Sequence, residues 1–306
     1  MFKKIFIPYD LSEPSKNAIK WAAHLKKKFE SKITLFHAIP QITHFAASDI
    51  FPAQETTQQE VLQGIEQDIK DYFIDHEGAE MQGIDIKFGH GSVPEAILKQ
   101  IAEEQPDIVI MGSHGYTGIS KILMGSVAEK IVRQSPSMVM IVRGNPSLPL
   151  KKVVVPIDFS DHTEDALLLA NEIRSLGEPK IDIVHSIAYP DIVHYPHHFT
   201  AYTKNNIEKS SEETAQNNLN KILEKHSSLS GKTQLLKEGT PAKEICKYAK
   251  ENLADLIIIP THGHTGFSHL FMGSVAESTV RYAPCSVLTF CPKHERDRRL
   301  KMINMF

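Results

Sequence analysis

A glycine-rich stretch at residues 111–126 has the residue types and the spacing to bind phosphate. A β-branched apolar run leads into Gly112, and three further glycines follow at positions 115, 118 and 125. Ser126 then begins a segment with apolar residues at helical spacing. A buried strand that opens into such a turn and ends at a helix N-terminus presents backbone N–H groups to an anion. Glycine suits the turn because it allows positive φ and a close approach of the ligand.

The stretch occurs twice, since residues 259–274 repeat three of its four glycines and its final serine. Matching landmarks lie 148 positions apart along the whole chain: Asp10 and Asp158, Ser12 and Ser160, His37 and His185, Gly91 and Gly239, Asp107 and Asp255, Gly115 and Gly263, Gly125 and Gly273. A constant offset indicates a duplicated domain, joined at the turn-forming segment Asn145–Pro149. We expect a first domain at residues 1–145, a second at 151–292 and a basic and apolar tail at 293–306.

Each repeat alternates short apolar runs with helical patterns. Strands are predicted at 4–8, 33–38, 84–88, 108–111 and 138–142, and again at 152–156, 182–185, 233–236, 257–259 and 287–290. Six helices are predicted. In the first repeat, one follows Asp10 and Ser12, a second ends near residue 76, a third starts at a capping box at Ser92–Glu95, and a fourth starts at Ser126. In the second repeat, one covers residues 205–226 and another starts at Thr240. Residues 40–56 are expected to form a long loop, a contact surface or a lid.

Alternating strands and helices predict an α/β fold with a parallel, doubly wound sheet in each domain, covered on both faces. In such sheets ligands bind beyond the carboxyl ends of the strands. Asp10, Ala38 and Gly112 each follow or end a predicted strand, so we expect them to converge.

Composition excludes several classes of protein. The 306 residues suffice for two ordinary domains, and the net charge of −3 is too small to indicate a nucleic-acid or membrane partner. No apolar run reaches the length of a membrane span, and no signal peptide is recognised. Three cysteines, all in the second half, fit a reducing cytoplasm better than a disulfide scaffold. We therefore expect a cytoplasmic protein.

The spacing of Gly112, Gly115, Gly125 and Ser126 resembles the nucleotide motif of the universal stress protein family. That motif is a glycine, two residues, a glycine, nine residues, and a glycine followed by serine or threonine. The chain is similar to a tandem member of this family over residues 3–142 and 152–290. The resemblance implies two five-stranded, Rossmann-like domains of the adenine nucleotide alpha hydrolase type.

The resemblance also implies that ATP, or AMP or ADP, binds, with Mg²⁺ as an accompanying ion. Asp10 and Ala38 would lie against the adenosine, and the backbone N–H groups of Gly115, Gly125 and Ser126, with the Ser126 hydroxyl, would hold the phosphates. The implied nucleotide site is Asp10, Ala38, Met111, Gly112, Gly115, Gly125, Ser126 and Val127. A second site would comprise Asp158, Ser186, Gly263, Gly273, Ser274 and Val275. Because the family pairs domains through their last strands, the resemblance implies an internal pseudo-dimer, and a homodimer as a further option.

The second repeat departs from the motif at Pro260, which stands where the first repeat has Gly112. Proline carries a Cβ atom and lacks an N–H. If close approach to the ligand requires this glycine, the second domain binds nucleotide weakly, so we expect binding mainly in the first domain.

Other interpretations of these residues stay open. Asp10 and Asp158 could be helix caps, and the glycine turn could be a tight connection; as a dinucleotide fingerprint the turn fails, since it follows the fourth strand. The histidines could ligate zinc, although solvated loop histidines are the more common case, and no metal ligand is assigned. These residues are His194, His197, His198, His262, His264 and His269. The tail could dock on a partner or on the body of the protein, with fraying as the default.

The resulting functional hypothesis is a stress-response protein that binds an adenine nucleotide and acts by regulation. The glycine turn lacks a Walker-type lysine and an evident base, so no catalytic residue is assigned and fast turnover is not expected. One alternative is a slow ATP-hydrolysing or adenylating enzyme. Another is a nucleotide-free scaffold or a binder of apolar ligands.

Overall fold

The computed structural model describes residues 1–39, 83–115, 124–187, 201–226, 231–237, 239–263 and 272–304, with a few single positions between these ranges. The expected loop at 40–56, most of the helix that follows it, and His194, His197, His198, His264 and His269 lie outside the described residues. Within the described residues, no helix combines the length and the apolar character that crossing a membrane requires.

The first repeat contains five strands and three described helices. The strands are β1 (Lys4–Pro8), β2 (Lys32–Ile39), β3 (Asp85–His90), β4 (Ile108–Gly112) and β5 (Met138–Val142). The helices are α1 (Glu13–Phe29), α2 (Val93–Glu104) and α3 (Ser126–Gln134). The strand order is β3-β2-β1-β4-β5.

The second repeat has the same order of elements. Its strands are β6 (Lys152–Pro156), β7 (Lys180–Ser186), β8 (Thr233–Leu236), β9 (Leu256–Pro260) and β10 (Ser286–Phe290). Its helices are α4 (His162–Ile173), α5 (Ala201–Lys225), α6 (Pro241–Glu251) and α7 (Ser274–Tyr282), and α8 (Lys293–Ile303) ends the chain. The strand order is β10-β9-β6-β7-β8.

Neighbouring strands run parallel, as predicted. β1 pairs with β2 and β4, β6 pairs with β7 and β9, and the outer pairs β2–β3, β7–β8 and β9–β10 have the same direction. The central strands are buried almost throughout, which matches their continuous apolar sequences. A parallel sheet brings the carboxyl ends of its strands to one edge, and the predicted site residues follow those ends.

The described residues form two compact units, whose limits differ from those of the repeats. The first unit includes residues within 1–119, 125–139 and 296–306, and the second includes residues 140–295. The last three residues of β5 therefore belong to the second unit, and most of α8 belongs to the first.

Most element predictions are confirmed, and three need correction. Ser92 is the N-cap residue of α2 but makes no side-chain capping bond, so the capping box is not formed. Helix α5 begins at Ala201, four residues before the predicted start. The tail is not frayed, because α8 buries Arg299, which is 7% exposed.

Candidate functional site

The first candidate site lies at the carboxyl edge of the first sheet. β1 ends at Pro8 in register with Phe36 of β2, and the Tyr9 N–H donates to the Phe36 carbonyl at 2.9 Å. This bond carries the chain from β1 toward α1 and places Asp10 beside the end of β2, where Ala38 lies. Gly112 ends β4 on the other side of β1.

The Asp10 carboxylate organises the turn into α1. Its Oδ1 accepts from the backbone N–H of Ser12 at 3.1 Å and from the Ser12 hydroxyl at 2.5 Å. Ser12 is the N-cap residue of α1, since its hydroxyl accepts from the Ser15 N–H at 3.3 Å. The other oxygen, Oδ2, faces the glycine turn: a Cβ atom added at Gly115 would lie 2.5 Å from it. Any side chain at position 115 would therefore displace this carboxylate.

The helix N-terminus at the end of the turn offers donors to an anion. Gly125 is the N-cap residue of α3, and Ser126, Val127 and Ala128 begin the helix. The N–H groups of these three residues have no acceptor inside the helix, and they carry the positive end of its dipole. The exposed Ser126 hydroxyl lies at the same end.

The Gly125 N–H, which was expected to hold a phosphate, has a partner inside the turn. It donates to the Ser113 carbonyl at 2.8 Å and so closes the turn. The equivalent Gly273 N–H donates to the Thr261 carbonyl at the same distance. Among the described residues of the turn and helix, the donors that the first site offers to a ligand are therefore the N–H groups of the first helical residues and the Ser126 hydroxyl.

Gly112 is required by helix packing. A Cβ atom at this position would lie 2.5 Å from Pro14 Cβ and 2.9 Å from the Pro14 carbonyl carbon. Real Cβ atoms do not approach backbone so closely, so the N-terminus of α1 packs on β4 only because position 112 lacks a side chain. The buried Met111 precedes it in β4 and is 5% exposed.

Histidines tie the same strand ends together in both repeats. His37 Nδ1 donates to the Tyr9 carbonyl at 2.7 Å, and His185 Nδ1 donates to the Ile157 carbonyl at 2.9 Å. The His185 ring also packs on Phe159, with the ring centroids 4.2 Å apart. These contacts give the two histidines a structural role at the edge of each site.

The second candidate site is a cavity of about 660 Å³ in the second unit. It is bounded by the ends of β6, β7 and β9, the first turns of α4, α6 and α7, and one face of α5. All six predicted residues of the second site line it or adjoin it: Asp158, Ser186, Gly263, Gly273, Ser274 and Val275. Its volume is typical of a small-molecule pocket, which spans roughly 300–1,000 Å³.

Asp158 repeats the geometry of Asp10. Its Oδ1 accepts from the Ser160 N–H at 3.0 Å and from the Ser160 hydroxyl, and its Oδ2 lies as close to Gly263 as Asp10 does to Gly115. Pro260 lines the cavity and does not fill it. His162 stands where the first repeat has Pro14, so the Pro14 ring that excludes a side chain at position 112 has no counterpart in the second repeat.

Comparison with known families assigns both repeats of the chain to one family. The profile of the universal stress protein family matches residues 1–143 and again residues 149–290. The chain belongs to the universal stress protein family. It carries two family domains in tandem, with the fold that the sequence predicted.

Curated members of the family each resemble about half of the chain. Universal stress protein MJ0577 of Methanocaldococcus jannaschii is 29% identical over 157 residues, which are 47% of this chain and 96% of that protein. Universal stress protein MJ0531 of the same organism is 30% identical over 148 residues, which are 48% of this chain and 85% of that protein.

Solved structures share the fold over the full length. A universal stress protein from Archaeoglobus fulgidus is 21% identical, with a TM-score of 0.67 covering 95% of this chain and 99% of that one. A protein of unknown function from Pseudomonas aeruginosa is 14% identical, with a TM-score of 0.70 covering 100% and 98% of the two chains. At 14% and 21% identity, the similarity to these structures supports the fold of the chain and carries no information about its ligands.

An arginine caps the C-terminus of the helix that follows the glycine turn in each unit of this universal stress protein. Arg299 donates to the Ser135 carbonyl at 2.7 Å and to the Val132 carbonyl at 3.5 Å, at the end of α3. Arg143 donates to the carbonyls of Val280 and Arg281 at 2.9 and 2.7 Å, at the end of α7. A cation at a helix C-terminus neutralises the negative end of the dipole and satisfies carbonyls without helical partners.

The cysteines form no disulfide within the described residues, in line with the sequence. Cys285 and Cys291 are buried, and Cys246 is half-buried. Burial raises the pKa of Cys246 to about 11 and that of Cys285 to about 12. Both side chains therefore remain neutral thiols at physiological pH and are poor nucleophiles.

The zinc hypothesis finds no support in the described part of the chain, where no group of three or more histidine, cysteine or carboxylate side chains could hold a metal. The histidine beside each glycine turn contacts a neighbouring hydroxyl: His114 Nδ1 lies 2.9 Å from Ser113 Oγ, and His262 Nδ1 lies 3.0 Å from Thr261 Oγ1. This pair recurs at the same place in both universal stress protein domains.

Sequence reasoning missed several residues of the second cavity and both capping arginines. The cavity includes Thr163 of α4 and a polar face of α5. The polar face of α5 is detectable in the sequence as small polar residues at helical spacing. The two arginines occupy non-equivalent positions of the repeats, so a comparison of the repeats does not reveal them.

Proposed function

We propose that the first domain binds ATP or a related adenine nucleotide and that the protein acts in a stress response through this binding. The arrangement of Asp10, Gly115 and the N-terminus of α3 carries the proposal. It combines a carboxylate held against a glycine turn with unpaired helix N–H groups that face the same edge. Family membership supports the nucleotide as the ligand.

Each group would have a distinct role in the complex. Asp10 and Ala38 would contact the adenosine, while Met111 and Gly112 would form the floor at the end of β4. The phosphates would accept from the N–H groups of Ser126 and Val127 and from the Ser126 hydroxyl. Gly115 would leave room for the carboxylate, and Gly125 would close the turn behind the phosphates. These groups would bind and orient the nucleotide, and none of them is assigned a role in breaking a phosphate bond. We therefore propose that the protein acts by binding the nucleotide and not by turning it over.

The proposal is tested by measuring bound nucleotide. The full chain is purified without added ATP and again after soaking in ATP, then denatured, and the supernatant is analysed by liquid chromatography against adenine nucleotide standards. We expect one ATP, ADP or AMP per chain at the first site, and its loss in Gly115→Val, where the new side chain displaces Asp10.

The matched control is Gly263→Val, which makes the same change in the second domain and should leave the first site loaded. A chain that carries no nucleotide under either condition would exclude the proposed function. Equal loss of nucleotide in both variants would show that the substitution acts on overall folding. In that case Ser126→Ala, which removes one donor from an exposed position, provides the test: loss of nucleotide would support the first site, and full retention would contradict it.

A further inference from the structure

The outward faces of helices α1 and α4 carry opposite charges, although the two helices are equivalent elements of the repeats. At the spacing of one helix face, the exposed or half-exposed residues of α1 include four lysines and one glutamate: Glu13, Lys16, Lys20, Lys27 and Lys28. The same face of α4, with the residue before it, carries four carboxylates: Asp161, Glu164, Asp165 and Glu172. These surfaces are called the basic face, with a charge of +3, and the acidic face, with a charge of −4.

Stabilisation of the helix ends does not account for the whole difference. Lysines in the last turn of α1 and carboxylates in the first turn of α4 do suit the helix dipole. Lys20, however, lies in the middle of α1, and Glu172 is the last residue but one of α4, where the dipole disfavours a carboxylate. Two of the charges also form surface pairs within the chain: Lys16 with Glu13 at 2.9 Å, and Glu164 with His226 at 3.1 Å. Such pairs are weak and can be exchanged for pairs with a partner.

An exposed leucine, Leu168, lies in the middle of the acidic face. It is 51% exposed, and three carboxylates lie three or four residues away on the same side of the helix: Glu164, Asp165 and Glu172. An apolar centre with a polar rim is the usual composition of a protein–protein contact. The equivalent residue of the basic face is Lys20, whose methylene stem can cover an apolar side chain while its ammonium group reaches nearby carboxylates. Lys20 on one helix therefore suits Leu168 on the other.

An antiparallel contact between the two faces matches their charges along the helix. When Lys20 is placed on Leu168 and the helices run in opposite directions, each step forward along α1 is a step back along α4. The resulting opposite positions are Lys16 with Glu172, Lys20 with Leu168, His24 with Glu164, and Lys27 with Asp161. Two lysines and one histidine therefore face carboxylates, and the fourth lysine covers the leucine.

The parallel alignment of the same faces is less favourable. It would bring Glu13 against Asp161, which are both carboxylates, and would leave Lys27 opposite the uncharged Ser175. The antiparallel alignment instead brings Glu13 against Ser175 and Lys27 against Asp161. Because like charges placed together across a contact repel each other, the antiparallel direction is favoured.

We propose that the basic face of one copy of the chain binds the acidic face of a second copy, with helices α1 and α4 antiparallel. The partner is a second copy because one chain carries both faces, on equivalent helices of similar shape and complementary charge. The contact differs from the pairing of last strands that the family resemblance implies. It also involves no residue of the proposed nucleotide site, so it can fail or succeed independently of the proposed function. The interaction is weak and sensitive to salt, since surface charge pairs contribute little each and are screened.

The experiment measures the weight-average mass of the full chain by sedimentation, without nucleotide and over a range of protein concentrations. At about 0.01 M salt, where the Debye length is about 30 Å, the mass should rise with concentration above the mass at about 1 M salt, where the Debye length is about 3 Å. Lys16→Glu and Glu172→Lys should each weaken this association about tenfold, because each replaces an attractive pair by a repulsive one. The same mass at both salt concentrations would overturn the proposal.

The direction of the helices is tested by combining charge reversals. Lys16→Glu with Glu172→Lys should restore association, because the reversed charges face each other again in the antiparallel contact. Lys16→Glu with Glu164→Lys would restore only a parallel contact and should therefore stay weak. Recovery in the second combination and not in the first would overturn the proposed contact.

The matched control is Lys99→Glu, which makes the same change of net charge at an exposed position of α2. It should leave association unchanged, and a loss equal to that of Lys16→Glu would show that net charge, not the basic face, controls association. All the substituted residues are exposed or half-exposed, so we expect the melting temperature of each variant to match that of the unmodified chain. Loss of association in a variant that keeps its melting temperature is then an effect on the contact and not on the fold.

Discussion

Gly112 and Pro260 occupy the same position of the two repeats, and their surroundings show what that position requires. In the first unit Pro14 lies so close that no Cβ atom fits at position 112. In the second unit His162 stands in place of Pro14, and the cavity beside Pro260 remains open. The glycine of the motif is thus needed for packing of the following helix, and its loss does not by itself close a pocket. A comparison of duplicated sites must therefore include the residues that pack around each motif position as well as the motif itself.

The largest difference in stability that we expect mutations to reveal between the units concerns equivalent positions in the second strand of each repeat, β2 and β7. Asp182, 1% exposed, accepts from the Lys232 N–H at 2.8 Å and from the Tyr248 hydroxyl at 3.1 Å, and its Oδ2 lies 3.5 Å from Lys152 Nζ. Burial and the Asp182 carboxylate raise the pKa of Tyr248 to about 12, so the phenol stays a donor. Thr34 takes this position in the first unit and bonds Glu104 at 2.8 Å.

We expect Asp182→Ala to destabilise the second unit by about 3 kcal/mol, because it leaves buried donors without an acceptor. Thr34→Ala should cost the first unit about 1 kcal/mol. Trp21, the single tryptophan, is buried in the first unit, so its fluorescence reports that unit while circular dichroism reports both during urea unfolding. Asp182→Asn is the control and should lose less, since its amide oxygen still accepts from Lys232. Equal losses in Asp182→Ala and Asp182→Asn would contradict this account.

The comparison of Gly112 with Pro260 can be tested directly. Gly112→Ala should cost the first unit about 2 kcal/mol through overpacking against Pro14, seen as an earlier Trp21 transition. Pro260→Gly should cost the second unit about 1 kcal/mol, chiefly by freeing the unfolded chain. Gly125→Ala is the comparison variant: the nearest atom to its new Cβ is His114 Cα at 3.4 Å, so it should lose only the N-cap preference for glycine, about 0.5 kcal/mol. If Gly112→Ala costs no more than Gly125→Ala, the packing explanation is wrong.

The smallest expected effect concerns the two capping arginines. Arg299→Met and Arg143→Met should each cost about 1.5 kcal/mol, because each leaves helix-end carbonyls without a donor. The first should move the Trp21 transition, and the second should move only the part of the circular dichroism change that Trp21 does not follow. Arg281→Met, which removes a surface pair with Glu277 at 3.5 Å, should change stability by less than about 0.5 kcal/mol. If Arg143→Met moved the Trp21 transition and Arg299→Met did not, the assignment of Arg299 to the first unit and Arg143 to the second would be wrong.

Much of this architecture follows from the sequence because it depends on local rules that repeat. Helix α3 and strand β5 have the predicted limits, since a glycine N-cap and a short β-branched run mark them. The placement of Asp10, Ala38 and Gly112 at one edge of the sheet follows from its parallel strands. The bond from the Gly125 N–H to Ser113 could not be predicted, because it depends on how the turn folds back on itself. Thr163 was missed because a threonine in a first helical turn is common, and only its buried hydroxyl, which has no partner among the described residues, distinguishes it.

The arginine caps bear on how the chain can be divided. A gene cut at the joint after residue 145 would yield a first half that retains Arg143, which serves α7, and lacks Arg299, which serves α3. The second half would hold the opposite arginine. Each half would therefore contain one helix whose final carbonyls lack the arginine that caps them in the full chain, even though each half has the sequence of a complete domain.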